Sequence, residues 1–447
     1  MASTYLTRNM TTQGSSIKGT FSCWFKLASD NLTGGLLSHY FSSNYLFDIC
    51  LYNANIEVAD YRSNAGGYLL RKRTTAKYRD LNAWYHLYVA IDRSLGTAVD
   101  RCKIYVNGDR VTDFLSNENA DYSQQTSGGH SGAVSMNNDY TARVGVRYDT
   151  TYFDGSISHM HWVDGSVIDI AQFGSTDSTT GEWKINTSPT VADYGTNGFF
   201  ILKDGNTITD QSSGGSYDFT VGGGTLTKTE DNPSNVFATF NPLMHFRQPT
   251  PLLYGNTGIE NGDAQWENGY GTIATPTTGK FYAEFKYPVF GGGSYGHAGI
   301  IAVDDIATQA SGYLNFGDAS NSWSISVTDG SVYNSGSTIA TYSSISANGI
   351  IGLAIDCTNS KLYISVNGTW QNSANPSAGT GGISITSNKE YFVGGKVYNA
   401  YLHANYGNGY FGTTAVSSAG TNASGNGIFE YDVPTGYTAL CTKGLNL

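Results

Sequence analysis

Residues 88–108 read YVAIDRSLGTAVDRCKIYVNG, and residues 353–368 repeat the pattern as LAIDCTNSKLYISVNG. In each stretch an apolar strand ends in Ile-Asp, a polar connection follows, and a Lys-apolar-Tyr alternation ends in Val-Asn-Gly. Asn-Gly after a strand is a strong hairpin signal, because both central residues of a type I′ turn need positive φ. Cys102, Ile104 and Val106 fall on one face of the predicted strand. The two copies predict one supersecondary unit that is used once in each of two domains.

A two-residue hydrophobic period runs through most of the chain, as in residues 20–27, 84–91 and 281–287. Clusters of Gly, Asn, Asp and Ser separate these runs and are typical of turns. No run of twelve or more residues has helical spacing, and residues 169–173 are the most helix-like. Many short alternating strands with frequent turns predict an all-β chain of the β-sandwich or jelly-roll type.

A chain of 447 residues is long enough for two or three domains, each with its own core. Prolines and glycines gather between residues 222 and 251, where Pro233, Pro242, Pro249 and Pro251 remove backbone donors. We therefore predict a first domain at 1–230, a linker at 231–250 and a second domain at 251–447.

The charge balance excludes several kinds of partner. The chain has 36 acidic and 25 basic side chains, and only 14% of its residues are charged. Because phosphate neutralisation supplies most nucleic-acid affinity, we expect no nucleic-acid partner. No apolar stretch approaches 18 residues, and the first residues do not read as a secretory signal, so we expect no membrane partner. The five cysteines form no paired motif and are expected to be buried hydrophobes of a protein made in a reducing cytoplasm: Cys23, Cys50, Cys102, Cys357 and Cys441.

Motifs in both halves resemble known families. The first half resembles the laminin-G-like, or concanavalin A-like, jelly roll in its opening strands, its core hairpin and a Phe-Asp-Gly-Ser-Ile strand: 5–8, 21–26, 84–92, 104–108 and 153–157. The second half resembles a SPRY domain, also a two-sheet concanavalin-type sandwich, at 280–285, 299–303, 352–356 and 365–370. This resemblance implies two concanavalin A-like antiparallel β-sandwiches in tandem. It is weak evidence for function, because these folds host many activities.

The order of the motifs is similar to that of tailed-phage virion proteins. A laminin-G-like sandwich, an Asp-Asn-Pro-Ser-Asn connector at 231–243, a SPRY-like sandwich and the ending at 432–440 carry this similarity. Such proteins are tail-fibre, head-fibre or capsid-associated components. The first predicted strand begins almost at Met1, which favours a compact decoration or tip protein over a long fibre with a shaft.

The acidic residues do not predict catalysis. Concanavalin-like glycoside hydrolases carry carboxylates on one strand face, but Glu57 and Asp60 have the wrong spacing and no third acid follows. The adjacent pair Asp304 and Asp305 would point to opposite faces of a strand. No nucleophile elbow or phosphate-binding loop is present. We therefore expect a non-enzymatic protein.

Two metal hypotheses follow from the sequence, and neither is strong. His159 and His161 have the spacing of two ligands on one strand face, but no further zinc ligand lies at a suggestive distance. Laminin-G-like folds often bind calcium, for which Asp48, Asp92 and Asp149 are conceivable oxygen donors. No loop pattern selects these aspartates, so the prediction is that no cofactor is required.

Carbohydrate binding needs an aromatic ring to stack on a sugar and polar groups to bond its hydroxyls. Loops of the second half supply this composition, and we predict Tyr295, His297, Tyr313 and Trp323 as ligand-binding residues. The alternative is that Tyr313 and Trp323 simply cover the sheet. Trp370 belongs to the SPRY-like motif and is expected to be structural.

The leading hypothesis is a non-enzymatic tailed-phage virion surface protein, made in the host cytoplasm, whose loops adhere to host-surface glycans or another receptor. The alternative is a structural decoration protein that contacts capsid or tail subunits through exposed strand edges and loops. A glycan depolymerase is a third reading, against which the missing carboxylates argue. Other virion proteins are the expected partners, and symmetric assembly predicts a homo-oligomer.

Overall fold

The computed structural model describes residues 3–29, 32–125, 134–203, 207–213, 217–244, 252–290, 293–307 and 316–446. Within these ranges the chain is built of β-strands, with one short α-helix, α1 (Val303–Ala307). The prediction of an all-β chain is confirmed. The chain divides into two compact units, Met1–Lys228 and Thr229–Leu447. Its described 3-10 helices are Ser63–Ala65, Ala98–Asp100, Ile170–Gln172, Pro242–Met244, Pro376–Ala378 and Gly444–Asn446.

The first unit is a sandwich of two antiparallel sheets. One sheet has eight strands in the order β10-β6-β5-β4-β3-β11-β1-β18, and the other has six in the order β17-β14-β2-β7-β8-β9. Two small hairpins, β12-β13 and β15-β16, accompany them. The strands are β1 (Tyr5–Asn9), β2 (Lys18–Leu27), β3 (Gly34–Ser42), β4 (Tyr45–Tyr52), β5 (Asn55–Arg62), β6 (Gly67–Thr74), β7 (Trp84–Asp92), β8 (Cys102–Val106), β9 (Asp109–Arg110), β10 (Phe114–Ala120), β11 (Thr141–Val144), β12 (Val146–Arg147), β13 (Thr151–Tyr152), β14 (Gly155–Asp164), β15 (Gly174–Thr176), β16 (Trp183–Ile185), β17 (Phe199–Ile201) and β18 (Thr220–Gly223).

The alternation in β2 and β7 packs one face of each strand into the main core. Phe21, Cys23 and Phe25 are fully buried there. The opposite face is also covered, because the Trp183 ring stacks on His86 at 5.8 Å between ring centroids, and His86 stacks on Trp24 at 5.0 Å. Both faces of β2 are therefore buried.

The second unit has one main sheet, whose two halves fold over and face each other. Its strand order is β24-β23-β22-β21-β29-β20-β25-β26-β27, with β19 on β29, β28 on β26 and β32 parallel to β20. The strands are β19 (Gly258–Tyr270), β20 (Lys280–Lys286), β21 (Tyr295–Ala302), β22 (Ser322–Ser326), β23 (Ser331–Asn334), β24 (Ser337–Thr341), β25 (Ile350–Asp356), β26 (Lys361–Val366), β27 (Thr369–Trp370), β28 (Ile383–Ser384), β29 (Tyr391–Asn405), β30 (Tyr410–Phe411), β31 (Thr414–Ala415) and β32 (Thr438–Ala439).

The long strand β29 turns the corner between the two halves of this sheet. Its first half pairs with β21 from Tyr391 to Tyr398, and its last residues pair with β20. Asn399, which lies between these two segments, has a positive φ of 49°. Apolar side chains from both halves meet in one core, so this unit is also a sandwich.

The two predicted Asn-Gly hairpins are confirmed. Asn107 and Gly108 have φ values of 50° and 85°, and Asn367 and Gly368 have 47° and 78°. These turns connect β8 to β9 and β26 to β27. Positive φ at both central residues is what a type I′ turn requires.

The structure differs from the linker predicted at 231–250, because residues 231–244 belong to the second unit. Phe237 and Phe240 are buried among its core residues. The backbone of Ala238 bonds to Leu440 at 2.9 Å. Prolines mark the ends of hydrogen-bonded ladders, but the phenylalanines between them supply apolar surface that the second core buries. Residues 245–251 lie outside the described residues.

All five cysteines are free and buried, as predicted. Burial raises the pKa of the Cys102 thiol to about 12, so this thiol stays protonated and unreactive near neutral pH. In the described parts of the chain, no helix is long and apolar enough to cross a membrane.

Candidate functional site

The structure places two of the predicted ligand-binding residues side by side and separates a third from them. Tyr295 and His297 are two residues apart on β21 and point to its outer face. Trp323 lies on the neighbouring strand β22, on the inner face. Tyr313 lies outside the described residues.

Trp323 is therefore a correction to the predicted site. Only 6% of its surface is exposed, and it packs in the core with Tyr391 at 6.1 Å between ring centroids. Its register partner on β21 is Ile300, which belongs to the same core. The alternation of β22 turns this ring inward, where it cannot stack on a sugar.

Two aromatic residues that the sequence did not single out join Tyr295. Trp266 on β19 and Tyr295 on β21 are both register partners of Tyr398 on β29. Their ring centroids are 5.6 Å apart for Trp266–Tyr398, 5.8 Å for Tyr295–Tyr398 and 6.2 Å for Trp266–Tyr295. We call these three residues the aromatic triad. Tyr295 is 47% exposed, so the triad faces solvent.

An irregularity in the pairing of β19 lies next to the triad. The pairing of β19 with β29 shifts register between Asn261 and Trp266, and residues 262–265 form an exposed bulge. Asn261 holds this bulge by donating its side-chain amide to the Gln265 carbonyl oxygen at 2.7 Å. Opposite the bulge, Ser294 donates its hydroxyl to the Asn399 carbonyl oxygen at 2.6 Å. Bulges commonly re-aim a side chain in this way.

A buried cation lies against the Trp266 ring of the triad. The Lys396 ammonium is 4.7 Å from the centroid of the Trp266 ring and 3.9 Å from Oδ1 of Asp318. Lys396 is only 5% exposed, and burial lowers its pKa to about 8. The Asp318 side chain is 44% exposed and lies at the border of the site.

His297 on β21 is the register partner of Lys396 on β29, and its side chain is uncharged. Its Nδ1 lies 3.0 Å from the Ser324 hydroxyl, and its ring packs on Tyr333 at 5.4 Å. Burial, together with the charge of Lys396, lowers the His297 pKa well below its ordinary value. Because Trp266 also contacts the His297 ring, at 5.7 Å, the histidine supports the triad from below.

The other end of this outer face is closed. The Phe316 ring stacks on Tyr270 at 5.2 Å and lies over Gly394, where the Phe316 Cζ atom would be 3.0 Å from an added Cβ. Ile301 and Phe392 complete this apolar cover. The triad is thus the open end of a face that is otherwise covered.

The predicted histidine pair is packed rather than arranged as a metal centre. His161 Nδ1 lies 2.9 Å from the Tyr194 hydroxyl, and its ring stacks on Phe200 at 3.8 Å. His159 also contacts Phe200. Among the described residues, no group of three His, Cys, Asp or Glu side chains could hold a metal ion.

The three aspartates considered for calcium each face a cation of the protein. Asp48 lies 2.5 Å from Arg147 in the core of the first unit. Asp92 pairs with Lys18 at 3.2 Å, and Asp149 pairs with Arg143 at 2.5 Å. They lie apart from one another, and each already has a neutralising partner, so they do not fit a calcium site.

The acids considered for catalysis are also held by neighbouring groups, through ion pairs in one case and hydrogen bonds in the other. The fully buried Glu57 carboxylate bridges Arg71, Arg73 and Arg147 at 3.1, 2.6 and 2.8 Å. Asp60 points to the opposite face, where it accepts hydrogen bonds from two backbone amides and the Tyr122 hydroxyl. The two carboxylates thus lie on different faces, as their odd spacing requires.

The remaining acidic pair and Trp370 have structural partners. Asp304 and Asp305 lie in α1, where Asp304 pairs with Lys389 and Asp305 accepts from the Asn321 side chain at 3.0 Å. The Trp370 ring packs on Tyr282 at 6.3 Å between centroids, at the edge of a small apolar cluster.

A shallow pocket of about 130 Å³ lies in the first unit beside Tyr68 and Arg71. Arg71 pairs with Glu118 at 3.2 Å, and its guanidinium lies 4.4 Å from the Tyr68 ring. Because these charges are already paired, the pocket offers less to a ligand than the open aromatic triad does.

Comparisons with known proteins find distant structural similarity alone. No protein-family model matches the chain, and no curated protein matches it. Similar solved structures include the SPRY domain of human HERC1, at 14% identity over 37% of this chain and 96% of that one, with a TM-score of 0.30. A heptameric SAP-like pentraxin from Limulus polyphemus matches at 14% identity over 45% and 89%, with a TM-score of 0.27. Domain 4 of AbnA, an arabinanase from Geobacillus stearothermophilus solved with arabinotriose, matches at 17% over 34% and 64%, with a TM-score of 0.25. Similarities of this size carry no argument about what this chain binds.

Proposed function

We propose that this chain is a non-enzymatic surface protein of a tailed-phage virion, and that its aromatic triad adheres to carbohydrate on the host surface. The virion assignment is supported by the order of sequence motifs described above. The adhesion assignment is supported by one structural observation, the solvent-facing cluster of Trp266, Tyr295 and Tyr398 on the second unit.

The chemistry of the triad suits a sugar. Pyranose rings present C–H faces that pack on aromatic side chains, and their hydroxyls bond to nearby polar groups. The centroids of the three rings lie within about 6 Å of one another, so one pyranose can contact more than one ring. The Asp318 carboxylate and the exposed bulge at 262–265 supply polar groups at the border.

A decoration role remains the second candidate, and a specific strand favours it. β24 (Ser337–Thr341) ends the sheet of the second unit, is largely exposed and carries no charge. Uncharged edge strands readily pair with another chain. However, the register of β24 shifts opposite Val332 and Tyr333, and such a bulge is a device that blunts sheet edges. Because the bulge disfavours strand pairing at β24, whereas the triad faces solvent, we favour adhesion over decoration.

The test of adhesion is binding of the purified chain to host cells. We expect Tyr295→Ala to reduce binding about tenfold, because truncating an exposed aromatic contact costs about 1.4 kcal/mol or more. Phe41→Ala is the matched control, since Phe41 is 67% exposed in the first unit and lies outside the triad. Equal binding by wild type and Tyr295→Ala would contradict adhesion through the triad.

The test of the virion assignment is immunogold electron microscopy of purified particles with an antibody to the chain. We expect label at the tail, at a fibre or at the capsid surface. Particles without label would overturn the assignment. Label in many symmetric copies over capsomers, combined with cell binding that Tyr295→Ala leaves unchanged, would establish decoration instead.

A further inference from the structure

The charges around the aromatic triad restrict which sugars it can accept. We infer that the triad selects sugars without a carboxylate and discriminates against acidic sugars. This inference rests on the proposed function, and it follows from where the charged groups near Trp266, Tyr295 and Tyr398 lie.

An acidic sugar would meet negative charge at the rim. The exposed Asp318 carboxylate borders the site, and Asp329 lies close enough to act on the charge state of His297. Asp263 adds a third carboxylate in the exposed bulge of β19. A sugar carboxylate needs an accessible Arg or Lys, but Lys396, which contacts the triad, is only 5% exposed.

An amino sugar would meet charges of both signs. Aromatic faces attract cations, and an acidic rim would add to this attraction. The Lys396 ammonium lies 4.7 Å from the Trp266 ring centroid, and it partly neutralises Asp318 at 3.9 Å. A sugar ammonium would be repelled by Lys396 and attracted by the carboxylates, so these charges do not exclude an amino sugar.

A neutral sugar avoids the repulsion from the carboxylates near the triad. Its hydroxyls donate hydrogen bonds to the Asp318 carboxylate, and its C–H face packs on the triad without adding charge. Its binding depends on ring contact, so Tyr295 and Trp266 contribute affinity, while Asp318 and Lys396 set the preference among sugars.

The experiment is a titration of the full-length protein with matched sets of simple sugars, followed by saturation-transfer NMR. Each set contains a neutral methyl glycoside, the corresponding uronic acid and the corresponding 2-amino sugar, in the gluco, galacto and manno series. In the series that binds, we expect the neutral member to bind about fivefold or more tightly than the uronic acid, since one unit charge at an exposed site changes binding by about that factor.

Two variants test the stated causes. Asp318→Asn is expected to reduce the ratio of neutral-sugar affinity to uronic-acid affinity at least twofold. Lys396→Met keeps the aliphatic stem under Trp266, and it is expected to improve binding of the amino sugar relative to the neutral one. Asp304→Asn, which removes an exposed carboxylate of α1, is the control and leaves both ratios unchanged.

The outcomes separate this inference from the proposed function. Binding of a uronic acid as tightly as its neutral counterpart would overturn the inference and leave adhesion standing. Absence of binding by every sugar, together with cell binding that Tyr295→Ala leaves unchanged, would overturn the proposed function itself. Circular dichroism of each variant confirms that it has folded.

Discussion

One buried carboxylate holds the C-terminal segment of the second unit across the outer face of β20. Glu284 is fully buried and accepts hydrogen bonds from the backbone amides of Glu430 and Tyr431 at 2.8 and 2.9 Å. The Tyr282 hydroxyl and the Asn405 side-chain amide donate to it at 3.1 and 3.3 Å. Burial raises its pKa to about 7, and the four donors oppose that rise only in part.

The raised pKa makes the stability of this unit depend on pH. Since the native pKa lies above the ordinary value of 4.5, the folded protein binds this proton more tightly than the unfolded chain does. The resulting stabilisation is fully present below pH 4.5 and is lost as the pH rises toward 7. The difference between the ordinary pKa of 4.5 and the native pKa of about 7 corresponds to about 3 kcal/mol of unfolding free energy.

Glu284→Gln removes the titrating group and nearly conserves its shape. The amide nitrogen of glutamine cannot accept a hydrogen bond, so at least one buried donor loses its partner at a cost of about 1–3 kcal/mol. We expect the variant to be about 2 kcal/mol less stable than the wild type at pH 5. This difference in unfolding free energy disappears by pH 8, where the wild type is destabilised by its buried, ionised Glu284.

Urea unfolding of the full chain, followed by circular dichroism from pH 5 to 8, measures this difference. Glu182→Gln, at an exposed position of the first unit, is the control and is expected to follow the wild-type curve. Parallel wild-type and Glu284→Gln curves would refute the reasoning, because they would show that Glu284 does not change its protonation in this range.

Three further predictions concern packing and buried charge. Trp323→Ala should lower the unfolding free energy by about 3–5 kcal/mol because its ring fills the core, which differential scanning calorimetry would detect. Gly394→Ala should yield insoluble or unfolded protein on expression, because its Cβ would lie 2.0 Å from a backbone carbonyl oxygen of β19. Arg147→Met should lower the unfolding free energy by about 3–5 kcal/mol in urea unfolding, since Asp48 would be left as a buried charge without its cation, whereas Glu57 keeps Arg71 and Arg73.

Local patterns were sufficient to predict the strands and two of their turns. The alternation at 20–27 and 84–91 corresponds to β2 and β7, and both Val-Asn-Gly endings form turns with positive φ. These features depend on neighbouring residues alone, so the sequence displays them directly. The helix-like stretch at 169–173 likewise forms a 3-10 helix, in which Asp169 accepts a hydrogen bond from the Ala171 amide.

The candidate site could be predicted only in part, because it depends on strand pairing. Tyr295 and His297 share a strand, and their two-residue spacing places them on one face. Trp266 and Tyr398 reach Tyr295 only through the register of β19, β29 and β21, which sequence spacing does not reveal. Trp323 was misplaced for a related reason, since an aromatic residue near a glycine-rich loop fits a strand core equally well.

The most direct test of the account is binding to an array of purified glycans by the wild type, Tyr295→Ala and Phe41→Ala. The account predicts that the wild type and Phe41→Ala bind the same glycans, built of sugars without a carboxylate, and that Tyr295→Ala binds them about tenfold more weakly. Failure of the wild type to bind any glycan, or equal binding by Tyr295→Ala, would contradict the claim that the aromatic triad is a carbohydrate-binding site.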